Sequence, residues 1–452
     1  MNAQPAASPA ASAVPASNAG YALLILTLIN LVNYLDRYIV AVALPDIQKE
    51  FGINDTQSGL LGTMFIVVFM LASPLGGFLG DRYPRRLLVV GGVVLWSLAT
   101  GASGLATSFG ALLLARAVIG IGEAGYGAVA PSIISDLYPR TQRTRMLAFF
   151  YIAIPVGAAA GYGLGGWLTQ AYSWHVAFFA GGVPGLILGA MAFFMPEPQR
   201  GAMDGPDAQA KLPFMVGLKG LARNAAFWAV TAGYTLMTFS IGGLGFWMPT
   251  YLVRERGLAQ DSSGFIFGAI TAVAGLLGTV AGGWLGDKLD RKREGGGLWM
   301  SGIGLMLAAP CMYLAVSLKA VGPTFAAIAL AQFLIFLNSG PINAAIVNCV
   351  PPAFRAFAMG LNVLCIHLLG DAISPTLIGT IADASSLHTA IAVNALPVLL
   401  GGFALLLGAR LFREAVPSRV RAERRHPALA GTRRPGAPSP RPAARHPRAA
   451  GP

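Results

Sequence analysis

Four ionisable residues stand inside stretches that are otherwise apolar: Asp36, Arg37, Arg116 and Glu123. A charge at membrane depth is costly, so each is a functional hypothesis by default. Arg116 and Glu123 are seven apart, a spacing that puts both on one face of a helix. A helix entering the bilayer at residue 110 carries Arg116 about 9 Å and Glu123 about 20 Å below that surface. A helix rising from residue 21 places Asp36 about 12 Å below the same surface, so Asp36 and Arg37 fall between them in depth. A carboxylate in a low dielectric holds its proton to higher pH, and a neighbouring guanidinium opposes this. Exchanging the Arg partner therefore switches proton affinity, which is the chemistry of proton coupling. A structural ion-pair network that fixes helix packing is the competing reading. Pairing is expected under both, because an unpaired buried charge costs too much.

His367 and Asp371 are a second pair, four apart, able to share a helix face and a hydrogen bond. A histidine titrates near neutrality and suits a proton relay, while a satisfied structural pair suits the spacing equally. The rest of the second half of the chain offers neutral polar groups. One stretch carries Thr231, Tyr234, Thr235, Thr238 and Ser240; another carries Gln332, Asn338, Ser339, Asn343 and Asn348. The Asn338/Asn343/Asn348 series drifts around a helix, so only some members can face a cavity. Hydrogen bonding between helices is the expected role of any one of them. Thr238, Ser240, Asn338 and Asn343 are the candidate substrate contacts of this half.

The elements that position these residues follow from composition. The 452-residue chain is 55% hydrophobic and only 11% charged, with a mean hydropathy of +0.62. A soluble domain carries about a quarter charged residues, so a globular core is excluded and a bilayer is implied. Spanning it takes about 20 apolar residues. Twelve stretches qualify, near 21–44, 57–80, 87–107, 110–138, 146–170, 174–195, 225–252, 263–286, 297–319, 323–350, 356–383 and 388–411. The 57 glycines and 30 prolines fit helices packed in lipid, where small residues allow close approach and neighbours re-satisfy freed backbone groups. Cys311, Cys349 and Cys365 lie inside these spans without metal-ligand spacing and read as small apolar side chains. No metal or cofactor is expected. The net charge of +13 sits largely in the tail and short loops, without the aromatic-basic interleaving of a nucleic-acid module.

The chain repeats itself. Residues 76–86 read GGFLGDRYPRR and residues 282–292 read GGWLGDKLDRK, each after the second span of its half. The fold class is thus an all-α membrane protein, twelve transmembrane helices in two pseudo-symmetric six-helix bundles, the major facilitator arrangement. The expected organisation is a disordered N-terminus (1–20), a first bundle (21–195), a linker (196–224), a second bundle (225–412) and a disordered basic tail (413–452). Lys and Arg collect on one side: Arg82, Arg85, Arg86, Arg140, Arg143 and Arg145, then the linker, Lys288, Arg291, Lys292 and Arg293, then the tail. By the positive-inside rule both termini are cytoplasmic, in a plasma membrane.

The segment from Gly77 through Asp81-Arg82-Tyr83-Pro84-Arg85-Arg86 resembles the loop signature of the major facilitator superfamily, with Pro84 in place of a glycine. Asn33-Tyr34-Leu35-Asp36-Arg37, Arg116 to Glu123-Ala124, Tyr151 to Gly157 and His367 to Pro375 resemble the Spinster branch of that superfamily. The resemblance spans roughly residues 30 to 380. It implies that helices 1 and 4 face each other and that lysophospholipids or sphingosine phosphate belong to the substrate class. The Ala- and Arg-rich composition suggests a bacterial member and an inner membrane. On this reading Glu123 is the proton carrier and Asp36 the second candidate, with His367 and Asp371 as a further relay. Arg37, Arg116 and Tyr34 hold the anionic part of a substrate. Asp81, Arg82, Arg85, Asp136, Arg143, Asp287 and Arg291 form the loop gate, capping helix ends or pairing across loops. Simple topology determination by Arg competes with that gate.

Two matches to G-x-G-x-x-G, at Gly120–Gly125 and Gly161–Gly166, lie inside apolar spans with no preceding strand, which rejects nucleotide binding. No G-x-x-x-x-G-K-[ST] or H-E-x-x-H occurs, and no loop is long enough for a catalytic domain. The expected molecule is not an enzyme. It is a monomeric carrier, surrounded by membrane lipids, that moves an amphiphilic anion with protons. A small organic anion or sugar acid is the alternative substrate, and an uncoupled lipid scramblase or sensor the alternative of another class.

Overall fold

The computed structural model describes residues 16–200, 203, 214–350 and 355–415. Residues 16–20 are helical and 413–415 continue the last helix; the remainder of both expected disordered ends lies outside the described residues, as does part of the linker. Twelve helices are long and apolar enough to span a membrane. In the first half they are α1 (Asn18–Phe51), α2 (Asp55–Arg82), α3 (Arg85–Ser103), α4 (Phe109–Leu137), α5 (Thr141–Ala171) and α6 (Trp174–Ala192). In the second they are α7 (Ala225–Arg254), α8 (Gln260–Lys292), α9 (Gly296–Ser317), α10 (Val321–Asn348), α11 (Phe357–Ala384) and α12 (Leu387–Phe412). The linker contributes one short helix, Phe214–Ala222.

Helix boundaries follow local chemistry. Asn54 closes a capping box with Gln57 at the start of α2, while Ser108, Ser173 and Asn224 cap α4, α6 and α7. Gly52, at φ +62°, makes the turn out of α1. Several helices outrun the expected spans, α1 by a turn or more at its far end, because the last turns carry polar residues that hydropathy does not count. Three helices are irregular; α12 breaks at Asn394 into Leu387–Val393 and Ala395–Ala415. In α10 the Asn338 side chain donates to the Leu334 and Ile335 carbonyls and splits the helix into Val321–Phe336 and Ser339–Asn348. In α11 residues His367–Asp371 form a π turn, closed by Ala372 N donating to His367 O at 3.0 Å. Such a turn widens a helix and recurs at functional sites.

The halves are joined far more firmly at one end than at the other. One buried apolar cluster includes Ile39, Val42, Leu44 and Ile47 of α1 together with Trp247, Tyr251 and Leu252 of α7, so it is continuous across both halves. A second cluster, with Leu26, Val93, Ile133 and Leu137, belongs to the first half alone. The end nearer the N-terminus and the Arg-rich loops is here called the basic end. At the opposite end Gly59 of α2 meets the backbone of Pro375 and Thr376, and Gly264 of α8 meets that of Tyr162, leaving no room for a Cβ.

Polar contacts reinforce this junction. Arg254 of α7 donates to Asp55 Oδ2 at 3.0 Å, to Asp55 Oδ1 at 2.5 Å and to Gln48 Oε1 at 2.5 Å. Asp383 at the end of α11 accepts from the Asp55 and Thr56 backbone N–H groups at 2.9 and 2.8 Å and from Thr56 Oγ1 at 2.6 Å. It therefore caps α2 from the other half, where a carboxylate complements the helix dipole. At the basic end the first half makes strong contacts of its own. Arg85 donates to Asp136 at 2.6 Å and to the Pro198 carbonyl at 2.7 Å. Glu197 accepts from the N–H groups of Arg85 and Arg86 at 3.2 and 2.8 Å.

Replacing Arg254 by Met leaves the buried Asp55 without its cation, at a cost of about 1–3 kcal/mol to the closed end. Spin labels at the exposed positions 49 and 255 should report a single short distance in the parent protein and an added longer population in Arg254→Met. An unchanged distribution would show that the latch does not hold this end.

Candidate transport cavity

Between the two bundles lies a cavity of about 530 Å³. Its lining comes from α1, α2, α4 and α5 on one side and from α7 and α11 on the other. The opposite end closes it: Thr63 Oγ1 donates to Ala372 O at 2.6 Å, Thr376 Oγ1 to Thr63 Oγ1 at 2.8 Å, and Tyr162 OH to Gly245 O at 2.6 Å.

Arg37, Arg116 and Glu123 line this cavity together. Arg37 Nε and Nη2 both reach Glu123 Oε2, at 2.7 and 2.6 Å. The Glu123 side chain is wholly buried and that of Arg37 is 23% exposed, so the cation offers the pair its contact with the cavity. The Arg37 guanidinium also lies 4.8 Å from the Tyr34 ring centre, 5.0 Å from that of Phe65 and 5.1 Å from that of Phe69. Each such contact is worth about 0.5–2 kcal/mol and does not depend on Glu123. An aromatic seat lets the guanidinium leave the carboxylate without leaving the cavity wall.

Arg116 is not paired to Glu123 by a hydrogen bond. Its Nε donates to the Leu61 carbonyl at 3.2 Å and its guanidinium lies 4.8 Å from the Phe65 ring centre. Its Nη1, like Glu123 Oε1, has no hydrogen-bond partner among the described residues. A ligand oxygen reaching Arg116 Nη1 would meet a donor that is already desolvated, where a charge-assisted bond is strong.

Asp36 stands apart. It is 1% exposed and does not line the cavity. Its carboxylate approaches Gly181 of α6 and Thr100 of α3, behind α1. A depth shared with Arg37 therefore does not bring Asp36 into the cavity. Asp36 and Arg37 are sequence neighbours and leave the helix about 100° apart at ~3.6 residues per turn, so only one can face the cavity.

Across the cavity, His367 Nδ1 and the Asp371 carboxylate are 2.9 and 3.1 Å apart and both line the wall, presented by the π turn of α11. Tyr34 and Thr238 also line it. Ser240, Asn338 and Asn343 do not. Ser240 donates to the Asn394 carbonyl, Asn338 to carbonyls of its own helix, and Asn343 to Ser339 O at 2.8 Å with Tyr234 OH at 3.5 Å. Polar side chains in a membrane helix meet backbone groups more often than ligands, and hydropathy alone does not separate the two.

Of the loop set, Arg85 and Asp136 form a buried ion pair and Arg143 donates to the Ser135 carbonyl at 2.7 Å. Arg82 lies over Phe78, 3.9 Å from its ring centre. Asp81, Asp287 and Arg291 are exposed. The cap on α3 comes from Glu197. Sequence reading passed over Glu197, Gln48, Asp55, Arg254 and Asp383. Glu197 lies in the loop after α6 and the other four near helix ends, where polar residues are ordinary, and only the fold brings their distant partners close.

A model of the Major Facilitator Superfamily matches residues 26–375. "Protein spinster homolog 3" of Danio rerio is 39% identical over 81% of this chain and 77% of its own length. "Sphingosine-1-phosphate transporter SPNS2" of Danio rerio is 36% identical over 85% of this chain and 80% of its own. In fold the chain is similar to a crystal structure of a bacterial homolog to the human lysosomal transporter Spinster in an inward-facing, unoccupied conformation. That likeness has a TM-score of 0.81 at 23% identity and covers 89% of this chain and 99% of the other.

Removing one partner of the central pair leaves the other buried and alone, so Arg37→Met should cost about 3–5 kcal/mol. The double variant Arg37→Met/Glu123→Gln should recover much of that loss in thermal unfolding. Additive losses would show that the two side chains are not coupled. With its cavity, its repeated halves and its relatives in view, the chain belongs to the Spinster group of the major facilitator superfamily and is a membrane transporter, not an enzyme.

Proposed function

We propose that this transporter carries an amphiphile with an anionic head group, of lysophospholipid or sphingosine-phosphate type, by alternating access coupled to protons. The observation that carries this reading is the meeting of Arg37, Arg116 and Glu123 on one wall of a cavity otherwise rich in Phe, Tyr and Ile. The head group takes the two guanidinium groups, and the apolar remainder supplies the surface for a hydrocarbon body. When the head group draws Arg37 away, Glu123 loses its cation and takes a proton; when the substrate leaves, the pair re-forms and the proton is released. Asp36, behind α1, and the His367–Asp371 pair, on the facing wall, are the further proton sites of this scheme.

The printed name of the sphingosine-1-phosphate transporter among the relatives supports a lipid phosphate as substrate. The shape of the cavity supports an amphiphile over a small anion. Contacts of α2 with α11 involve residues 55–63 and 371–383, toward the opposite end, and an alkyl chain leaving sideways would pass between these helices nearer the basic end. Orientation follows the positive-inside rule, with the basic end cytoplasmic, so the conformation described is open to the cytoplasm. The Ala- and Arg-rich composition supports a bacterial inner membrane as its location.

The test is reconstitution into proteoliposomes with a panel of lysolipids and, as the competing class, sugar acids, each with and without a proton gradient. The expected outcome is gradient-driven lysolipid movement that Glu123→Gln uncouples, lowering the driven rate at least about tenfold. Equal transport with and without the gradient, or a Glu123→Gln variant that keeps gradient-driven accumulation, would contradict the reading. Movement of sugar acids alone would replace the substrate.

A further inference from the structure

A second cavity, a groove of about 740 Å³, lies on the outside of the contact between α5 and α8, away from the transport cavity. Small residues, Ala159 and Gly163 among them, line it where the helices approach. Leu164, Trp167 and Phe265 flank it and are 52%, 51% and 67% exposed. Asp261, in the first turn of α8, stands at the end of the groove.

We propose that this groove is a binding site for one acyl chain of a membrane phospholipid whose primary ammonium head group is held by Asp261. Depth is the first argument. Ala159 lies about 18 Å below the end of α5 at ~1.5 Å per residue, which is close to one leaflet of a hydrocarbon core about 30 Å thick. The groove is therefore as long as the part of a lipid that sits in one leaflet. Trp167, packed edge-on to Tyr172 with ring centres 6.2 Å apart, marks the interface at its upper end.

Charge is the second and independent argument. A helix N-terminus ordinarily invites an anion, but here the N–H groups of Asp261, Ser262 and Ser263 are taken. Asp261 N donates to Gln170 Oε1 at 2.9 Å, and Ser262 N and Oγ both donate to Asp261 Oδ1, at 2.5 and 3.1 Å. Asp261 Oδ2 makes no hydrogen bond among the described residues, so the groove ends in an acceptor and a negative charge. A primary ammonium supplies both the N–H and the countercharge. A quaternary ammonium supplies only the charge.

The site also has a consequence for the transport cycle. Its walls come from α5 in the first half and α8 in the second, so it is whole only while the opposite end is closed. A lipid bound there favours that conformation by its differential affinity and slows the opening of that end.

The experiment is native mass spectrometry of the full chain released from bilayers of equal phosphatidylethanolamine and phosphatidylcholine with matched chains. The expected result is retained lipid enriched in phosphatidylethanolamine by about two- to fivefold, the range of an exposed charged pair. Asp261→Asn should keep the lipid and lose the enrichment. Gly163→Leu should lose the retained lipid, and it does so without displacing a helix, because a Cβ there meets only Phe265, its ring at an ordinary 3.5 Å. Equal retention of the two lipids by the parent protein, enrichment that survives Asp261→Asn, or full retention by Gly163→Leu would each overturn the proposal.

Discussion

Two charges that water would hold apart are held together here because the membrane interior offers them nothing else. The Glu123 side chain is fully buried, and the Arg37 guanidinium that contacts it twice is its only hydrogen-bonded cation among the described residues. Burial of such a pair is weak evidence for stability, since the desolvation cost offsets the attraction. Its value lies in the response of one partner when the other moves. Arg37 keeps its aromatic seat on Tyr34, Phe65 and Phe69, so the cation has two places to rest and the carboxylate has one. That asymmetry makes the pair a switch in which the carboxylate is the member that must change its protonation state.

The rest of the architecture serves this pair by making the two ends of the molecule unequal. At the opposite end the apolar core crosses from α1 to α7, and Arg254 and Asp383 tie α7 and α11 to α2. At the basic end the first half binds itself, through Arg85, Asp136 and Glu197. A carrier that alternates must exchange one set of contacts between halves for another. The polar contacts to be broken lie at helix ends, so opening exposes polar groups that water can satisfy. The glycine approaches beside them, at Gly59 and Gly264, join backbone to backbone and keep the halves in register without deep interdigitation.

Much of this was legible in the sequence, for reasons that can be named. Membrane spans announce themselves because the bilayer demands length and apolarity together, and all twelve were visible. The repeated loop gave the halves. Arg37, Arg116 and Glu123 stood out because charge within apolar spans is rare. The π turn at His367–Asp371 was not visible, since backbone hydrogen-bond register has no residue signature, although Pro375 just beyond it removes a donor and hints at irregularity. Asp36 was placed with its neighbours by depth, and depth does not tell which side of a helix is wet. Ser240, Asn338 and Asn343 looked like lining because they are polar, yet carbonyls of the backbone claim them. The latch at the opposite end was hidden most completely, because Asp55 and Arg254 are 199 residues apart and each alone looks like an ordinary helix end.

In the proposed cycle the head group and the Glu123 carboxylate compete for a single guanidinium, so that Glu123 takes a proton as the head group takes Arg37. Infrared difference spectroscopy on the reconstituted protein, recorded as a lysolipid is added, observes that event directly. A protonated carboxylic acid band is expected to appear with substrate and to be missing from the Glu123→Gln spectrum. A substrate-induced spectrum with no carboxylic acid band, or with a band that persists unchanged in Glu123→Gln, would contradict this competition.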